Sequence, residues 1–467
     1  MMKNVKLLFV LCLLGLTTQA QLRLPHVLSD HMVLQRESEV QVWGWGQAGA
    51  KVAVYASWLS DTVHAVIDGG GNWHIPIPTK AAGGPYTLQV SSGSEVLKLN
   101  DLLLGDVWLC SGQSNMEWGG AQSLPEILEE LPQANDPQIR LLQVSRYAAS
   151  YPQEDIPNTW KLLDANSLKP FSAIGYFIAK TFRKEIGVPI GIINASWGGT
   201  GAEVWTPASV VDNDGILQKA AENQTAAAYR PHRTASLWNS MIFPLRRFPV
   251  SGIFWYQGES NVGAWSSYDR LMQQMVGAWR AAWGQQLPFY FVQIAPFTYN
   301  NSAPLAALLR EQQEKTARTL ANAGMVVISD LVDNVKDIHP IQKRAVADRL
   351  ATLALQEHYK LPAQKDYKSP TYKSYTVKGN QVEISFENLN GKLQVKGDQI
   401  TELYIAGADQ VFHPAKGVVR GNKLMVSAAV VRHPQAVRFS FSEAGIANLF
   451  NSQGLPVAPF RTDNWSF

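Results

Sequence analysis

The chain has 467 residues, of which 46% are hydrophobic and 17% are charged. This length is typical of about three domains, and the composition excludes an intrinsically disordered protein. Lys and Arg together number 41, and Asp and Glu together number 38. Because a nucleic-acid-binding protein needs a strongly basic face, so small an excess argues against that function.

The N-terminus has the pattern of a secretory signal rather than of a folded segment. Lys3 and Lys6 precede an apolar run over residues 7–16. Thr18 and Ala20 then place small residues at positions −3 and −1 of a cleavage site. The run is too short to span a bilayer. We therefore predict a signal peptide over residues 1–20 and a secreted or periplasmic protein. No later stretch approaches the ~18 consecutive apolar residues of a membrane helix, so we predict no membrane insertion.

The sequence contains two cysteines. Cys12 lies in the predicted signal peptide, which leaves Cys110 without a disulfide partner in the mature chain. Because Cys110 ends an apolar run over residues 107–110, we predict a buried thiol that packs as a small hydrophobic group.

The first and last parts of the mature chain are predicted to be all-β. Residues 22–102 alternate apolar and polar side chains, for example over residues 51–55. Short alternating strands separated by turn residues predict an N-terminal β-sandwich. Residues 366–467 show the same alternation, for example over residues 436–441, and predict a C-terminal β domain or β extension.

Residues 103–360 contain unbroken apolar runs between helical patterns. Because such runs form parallel sheets that are covered on both faces, they predict a three-layer α/β/α domain. The predicted strands cover residues 107–110, 190–193, 253–256, 289–294 and 325–328. Ser172 and Gly187 are the predicted ends of a helix between the first two strands. A second helix is predicted from the spacing of Leu271, Met275, Trp279 and Trp283.

Four motifs with polar residues lie at or just beyond the ends of predicted strands. They are SGQSNM at 111–116, NASWGGTG at 194–201, QGESN at 257–261 and DIHP at 337–340. In an open α/β sheet, ligands bind beyond the carboxyl ends of the strands. We therefore expect the four motifs to converge on one cleft.

These motifs contain the groups that acyl transfer requires. A hydroxyl nucleophile must be exposed beside a base, and Ser114 lies in a Gly-containing turn that can present its oxygen. His339 is the candidate base. A tetrahedral intermediate needs preorganised hydrogen-bond donors. The candidates are the backbone N–H groups of Ser114, Gly198 and Gly199 and the side-chain amide of Gln257.

Other chemistries have weaker support. Ser114 does not lie in the Gly-x-Ser-x-Gly motif of α/β-hydrolases, and residues 198–201 lack the spacing of a dinucleotide-binding loop. No His-Glu-x-x-His or paired-Cys motif is present, so we predict no metal and no cofactor. A glycosidase with two carboxylates, for example Glu203 and Glu259, stays open, because any two acids can meet in a folded chain.

The same strings, in this order, resemble the sialate O-acetylesterase family, a branch of the SGNH hydrolases. The resemblance is carried by GDVWLCSGQSNMEW at 105–118, NASWGGTGAEVW at 194–205, FWYQGESN at 254–261 and DIHP at 337–340. Shorter matches extend it from about residue 24 to residue 463. The resemblance implies an SGNH-type α/β/α fold and the removal of O-acetyl groups from sugars.

The resemblance also implies roles for the motif residues. Ser114 is then the nucleophile and His339 the base. The glycine pair Gly198–Gly199 lies in the block that supplies an oxyanion donor. Gln257 stands where SGNH enzymes more often have Asn.

The acid that orients His339 is the point at which this chain departs from the SGNH pattern. That pattern places Asp three residues before the His, and Lys336 occupies this position. Asp337 is our candidate, because side chains at i and i+2 of an extended segment point the same way. Asp333 and Asp330 are alternatives, and a backbone carbonyl in this role would leave a Ser–His dyad.

The sequence thus predicts a serine esterase whose partner is an acetylated sugar, most simply a sialate O-acetylesterase. An esterase acting on acetylated xylan or another polysaccharide is the alternative within this class. A non-catalytic glycan-binding protein is the alternative from a different class. The sequence does not indicate an oligomeric state.

Overall fold

The computed structural model describes residues 20–362 and 366–467. The predicted signal peptide, apart from Ala20, and Cys12 within it therefore lie outside the described residues.

The N-terminal region is all-β, as predicted. Its strands are β1 (Val33–Gln35), β2 (Glu39–Trp45), β3 (Lys51–Ala56), β4 (Val63–Val66), β5 (Asn72–Pro78), β6 (Gly83–Ser92) and the long β7 (Glu95–Gly112). β2 pairs with β5 in one antiparallel sheet. β3 pairs with β4 and β6, and β6 pairs with the first half of β7 in a second sheet. Alternate side chains of both sheets, such as Val40 and Val52, belong to one core.

The second half of β7 lies in the middle of a mostly parallel sheet. The other strands are β8 (Ile139–Gln143), β9 (Lys161–Leu162), β10 (Ile190–Ser196), β11 (Gly252–Tyr256), β12 (Phe289–Val292) and β13 (Ala323–Val326). Their order is β13-β12-β11-β7-β10-β8-β9, and only the β8–β9 pair is antiparallel among them. The five predicted strands are confirmed. The predicted boundary at residues 102/103 falls inside β7, so one strand belongs to both regions.

Helices connect these strands. They are α1 (Ser114–Glu117), α2 (Pro125–Glu130), α3 (Ala165–Leu168), α4 (Ala173–Ile186), α5 (Ala208–Asp212), α6 (Gly215–Glu222), α7 (Tyr268–Trp283), α8 (Leu305–Thr319) and α9 (Lys343–Glu357). The predicted ends of α4 are confirmed: the Ser172 side chain accepts a hydrogen bond from Gly175 N–H, and Gly187 ends the helix at φ 70°. The second predicted helix is α7.

Successive side chains of β7 enter two different hydrophobic cores. Val107 and Leu109 pack in a core that also contains Trp279 of α7. Trp108 and Cys110 pack in the other core, with Phe177 of α4. Cys110 is a buried free thiol, as predicted. The sheet therefore buries both faces, which is why its strands are continuous apolar runs.

The C-terminal region is also β, as predicted. Its strands are β14 (Thr371–Lys378), β15 (Gln381–Glu387), β16 (Gln394–Val395), β17 (Leu403–Ala406), β18 (Phe412–Pro414), β19 (Lys416–Arg420), β20 (Lys423–Ser427), β21 (Ala436–Phe439), β22 (Leu449–Phe450) and β23 (Phe460–Arg461). They form two four-stranded sheets and one two-stranded sheet around a core of their own. Arg461 of β23 forms an ion pair with Glu311 of α8 at 2.7 Å. This ion pair connects the C-terminal region with the α/β region.

The turn that ends β7 requires glycine at position 112. Gly112 has φ +132°, and a Cβ there would lie 2.1 Å from the backbone oxygen of Tyr256. We expect Gly112→Ala to lower the free energy of unfolding by about 3 kcal/mol or more, because backbone strain and overpacking add. Denaturant unfolding tests this. The control is Gly284→Ala, at φ +65° with open space around the new methyl group, where a loss of about 1–2 kcal/mol is expected. Equal losses in the two variants would contradict the expectation.

Candidate active site

Ser114 lies directly beyond the carboxyl end of β7. The strand ends at Gly112, and Ser114 begins the short helix α1. The residue is 8% exposed, and its side chain lines a cleft of ≈ 420 Å³. We call this the catalytic cleft; Trp118, Arg146, Trp197, Gly199, Tyr229 and Glu259 are among its other lining residues.

His339 reaches Ser114 from the loop between β13 and α9. Its Nε2 lies 2.9 Å from Ser114 Oγ, a hydrogen-bond distance between residues that are 225 positions apart in the chain. Its ring stacks on Trp118 with centroids 3.8 Å apart and planes at 19°. The stacking and the hydrogen bond together fix the orientation of the imidazole. The motifs at 111–116 and 337–340 therefore meet, as the sequence predicts.

Asp337 is the one of the three candidate acids that lies beside His339. Its Oδ1 is 3.6 Å from His339 Nδ1 and accepts a hydrogen bond from His339 N–H at 2.9 Å. Asp330 instead forms a two-point ion pair with Arg349, and Asp333 accepts from Gln342.

The local conformation that brings Asp337 to His339 differs from the predicted one. Residues 335–339 form turns and bends rather than an extended segment. The carboxylate reaches the imidazole by capping the N–H of the residue two positions later, which is a common Asp turn.

The glycine pair also lies in the catalytic cleft. Gly198 and Gly199 follow β10 and line the cleft together with Ser114. The N–H of Gly198 donates to Glu117 Oε2 at 2.6 Å, and Glu117 also pairs with Arg146 at 3.1 Å. Burial raises the pKa of the Glu117 carboxyl, against the opposing effects of Arg146 and the Gly198 N–H. In this geometry, a candidate oxyanion donor is engaged by a carboxylate of the protein.

Gln257 lies outside the catalytic cleft. Its side chain is fully buried, and its Nε2 donates to Thr200 O at 3.0 Å and to Asn261 Oδ1 at 2.7 Å. Its Oε1 accepts from the Tyr268 hydroxyl at 2.9 Å. The amide hydrogens are therefore committed to the protein interior and do not point at Ser114. Glu259, two residues later, lines the cleft instead.

The two carboxylates of the glycosidase alternative do not face each other across the cleft. Glu259 lines the cleft, whereas Glu203 does not. Glu203 accepts from Asn261 Nδ2 at 2.8 Å in the interior. This arrangement does not place two acids on opposite sides of a bound sugar, as glycoside hydrolysis requires.

Several cleft residues were not singled out from the sequence. Glu117 and Trp118 lie in the same string as Ser114, so that string contained the signal for both. Arg146 and Tyr229 lie in loops with no recognisable motif. Lys343, four residues after His339, is 1% exposed and donates to Asn115 Oδ1 at 2.6 Å.

The charge environment of His339 favours its neutral form. Burial lowers the pKa of the imidazole below its usual 6.5, and the nearby Lys343 ammonium lowers it further. Asp337 opposes this shift. Neutral imidazole is the form that accepts a proton from a hydroxyl.

Within residues 20–362 and 366–467, no group of three or more His, Cys, Asp or Glu side chains is placed to hold a metal ion. None of the helices in these ranges is both long and apolar enough to cross a membrane.

A serine hydroxyl within hydrogen-bonding distance of a histidine at the carboxyl edge of a parallel sheet is the arrangement of nucleophile and base found in hydrolases of the serine type. The model of the family "carbohydrate esterase, sialic acid-specific acetylesterase" matches residues 104–356. The chain belongs to this family, and it is a carboxylic ester hydrolase. The predicted family, enzyme class and removal of O-acetyl groups from sugars are confirmed.

Individual relatives agree with this assignment. The chain is 28% identical to sialate O-acetylesterase of Mus musculus, over 70% of this chain and 72% of that protein. It is also 28% identical to sialate O-acetylesterase of Homo sapiens, over 70% and 69% of the two chains. The crystal structure of a carbohydrate acetylesterase from Xanthomonas citri superposes with a TM-score of 0.87 at 38% identity, covering 95% of this chain and 100% of that chain.

Proposed function

We propose that the protein is a serine esterase with Ser114 as nucleophile and His339 as general base, most simply a sialate O-acetylesterase. The observation that carries this proposal is the 2.9 Å contact between Ser114 Oγ and His339 Nε2 inside the catalytic cleft. The contact has the length that a nucleophile–base pair requires.

The reaction follows from these positions. Ser114 Oγ attacks the acetyl carbonyl carbon while His339 Nε2 takes the hydroxyl proton. The tetrahedral intermediate then collapses, the sugar oxygen leaves with the proton from His339, and an acetyl-Ser114 ester remains. Water, deprotonated by His339, attacks this ester; the second tetrahedral intermediate collapses, Ser114 Oγ leaves with the proton from His339, and acetate is released. Asp337 stabilises the imidazolium that forms in each half of the reaction.

Charge develops on the carbonyl oxygen and needs donors. We assign this role to the N–H groups of Ser114, Gly198 and Gly199. Because Glu117 holds the Gly198 N–H, the oxyanion must replace this carboxylate at Gly198 in order to use that donor. In this scheme the buried amide of Gln257 stabilises the loop after β10 through its hydrogen bond to Thr200 O. It does not donate to the oxyanion.

The proposed architecture is an SGNH-type three-layer α/β/α catalytic domain over residues 103–360. A β-sandwich over residues 22–102 precedes it, and a β domain over residues 366–467 follows it. The two cores on opposite faces of the central sheet support the layering. The separate core of the C-terminal strands supports the last division.

Acetylated polysaccharide such as xylan is the second candidate substrate. Arg146, a cation that lines the cleft, is paired with Glu117, so the carboxylate of a sialic acid would have to compete with Glu117 for it. The aromatic side chains of Trp197 and Tyr229 line the same cleft and suit the apolar face of a neutral sugar. Membership of the sialic acid-specific acetylesterase family favours an O-acetylated sialic acid as the substrate.

Acetate release decides between the candidates. Wild-type protein and Ser114→Ala are assayed on 9-O-acetyl sialic acid and on acetylated xylan under the same conditions. Release from the sialic acid with a higher kcat/KM supports the sialate, and the reverse supports the polysaccharide. Binding of both glycans without acetate release from either would overturn the proposal in favour of a glycan-binding protein.

The pH dependence should follow His339. Because its pKa is lowered and the neutral form is the base, kcat/KM should fall as pH decreases, with a midpoint below pH 6.5. A pH–rate profile of wild-type protein measures this midpoint. A midpoint at or above pH 6.5 would contradict the assignment of a buried neutral base.

Secretion is proposed from the N-terminal pattern alone. The mature chain should begin at Gln21 in the exported fraction. N-terminal sequencing of that fraction tests this, and a chain that still begins at Met1 would refute it.

A further inference from the structure

A buried polar network joins the two segments that supply Ser114 and His339. At its centre is Asn115, the residue after the nucleophile, whose side chain is fully buried. Its Nδ2 donates to the backbone oxygen of Ile338 at 3.0 Å and to Glu259 Oε1 at 2.6 Å. Its Oδ1 accepts from Lys343 Nζ at 2.6 Å.

The polarity of the amide matches its charged neighbours. The oxygen faces the Lys343 ammonium, and the nitrogen faces the Glu259 carboxylate, so only one orientation of the Asn115 amide satisfies both. That orientation also aims an N–H at the carbonyl of Ile338, the residue before His339. A fixed amide therefore connects the turn after β7 with the loop that precedes α9.

The loop that contains His339 depends on such contacts for its position. Residues 335–339 belong to no helix or strand. The Thr298 N–H donates to Val335 O at 2.8 Å at the start of this loop, and the Asn115 side chain donates to Ile338 O next to His339. The contact from Asn115 to Ile338 is made by a residue adjacent in sequence to Ser114. A shift of this contact therefore changes the distance between Ser114 Oγ and His339 Nε2 directly.

We propose that Asn115, oriented by Glu259 and Lys343, is a positioning residue that holds His339 at hydrogen-bonding distance from Ser114. This inference rests on the proposed esterase function. A misplacement of about 1 Å between reacting groups costs about 10²-fold in rate, so the contact has a large effect on kcat without touching the substrate.

The network also carries a cost in stability, which agrees with a role in the site. Within the described residues, Glu259 Oε2 is buried and accepts no hydrogen bond from another protein group. Burial raises the pKa of Glu259 and lowers that of Lys343 to about 7. Groups of this kind are expected where an arrangement serves function rather than stability.

The isosteric variant Asn115→Asp tests the proposal. Its carboxylate still accepts from Lys343 but has no N–H for Ile338 or Glu259. We expect kcat for acetate release to fall about 100-fold with KM changed less than about threefold. The double variant Asn115→Asp with Glu259→Gln relieves the repulsion between the two carboxylates, because the amide at position 259 can donate to the aspartate, but it restores no N–H to Ile338. We therefore expect its kcat to stay within about threefold of that of Asn115→Asp.

The outcomes are distinct. A kcat for Asn115→Asp within threefold of wild type, or a loss that appears only in KM, overturns the proposal. A double variant with kcat near that of wild type also overturns it, because the loss in Asn115→Asp would then come from repulsion between carboxylates and not from the missing N–H. If Asn115→Asp fails to fold by circular dichroism, Asn115→Ala takes its place, because it also lacks the N–H for Ile338, and a kcat within threefold of wild type there overturns the proposal. Failure of the wild-type protein to release acetate would instead reject the esterase function itself.

A second measurement tests whether Lys343 acts on His339 through its charge. Lys343→Met removes the ammonium that, with burial, opposes protonation of His339, so the midpoint of the acid limb of kcat/KM should move to higher pH. Loss of structure alone would lower activity equally at every pH. An unshifted midpoint in a folded Lys343→Met protein counts against Lys343 as part of the network.

Discussion

Replacement of Ser114 by alanine should lower kcat for acetate release by about 10⁴–10⁶-fold, because the attacking oxygen is lost and only binding and the oxyanion donors remain. The fold should be unaffected. The Ser114 side chain makes its hydrogen bond to His339 at the cleft surface, and removal of one such bond changes stability by about 1 kcal/mol. Steady-state kinetics and thermal unfolding measure the two effects separately.

Two controls make this result specific. A serine-directed phosphonate should label Ser114 in the wild-type chain and leave the alanine variant unlabelled. The double variant Ser114→Ala with His339→Ala should be no slower than Ser114→Ala alone, because nucleophile and base act as a unit. Labelling of a different serine, with Ser114→Ala still active, would refute the assignment.

The parallel sheet was predictable because burial on both faces imposes a continuous apolar run on each strand. Strand β8, which lies between β10 and β9, was not predicted for the same reason. Arg140 interrupts its apolar run, yet it is buried in the structure and paired with Asp101 at 2.9 Å. A charge whose partner lies 39 residues away cannot be recognised as internal from local pattern.

The sequence predicts the part of the candidate site that depends on where the strands end. Ser114 and His339 meet because the strands that precede them end at one edge of the sheet. The prediction that the Gln257 side-chain amide donates to the oxyanion is contradicted by the hydrogen bonds that this amide forms in the protein interior. Gly258 takes φ +148°, and this turn places Glu259 rather than Gln257 at the cleft.

Contacts between residues that are far apart in the chain could not be predicted from the sequence. Asn115 and Lys343 are 228 positions apart, and neither is unusual for its local segment. The pairing of Glu117 with the Gly198 N–H joins two of the recognised motifs, but spacing within each motif does not reveal contact between them. Such contacts follow from packing, which motif order does not specify.

Replacement of Asp337 by asparagine should lower kcat by at least about 10²-fold and by up to about 10⁴-fold, the loss seen when the orienting acid of a Ser–His–Asp triad is removed. The carboxylate lies 3.6 Å from Nδ1, where its charge stabilises the imidazolium. Asparagine keeps an oxygen that can accept from His339 N–H, so the turn is retained and the charge alone is removed.

Asp333→Asn and Asp330→Asn are the matched controls, because their carboxylates bond to Gln342 and Arg349 instead. We expect both to retain kcat within about threefold of wild type, with Asp330→Asn showing a lower Tm because its partly buried ion pair with Arg349 is weakened. Near-normal turnover in Asp337→Asn would show that Ser114 and His339 act as a dyad, since the other two acids are held away from the imidazole.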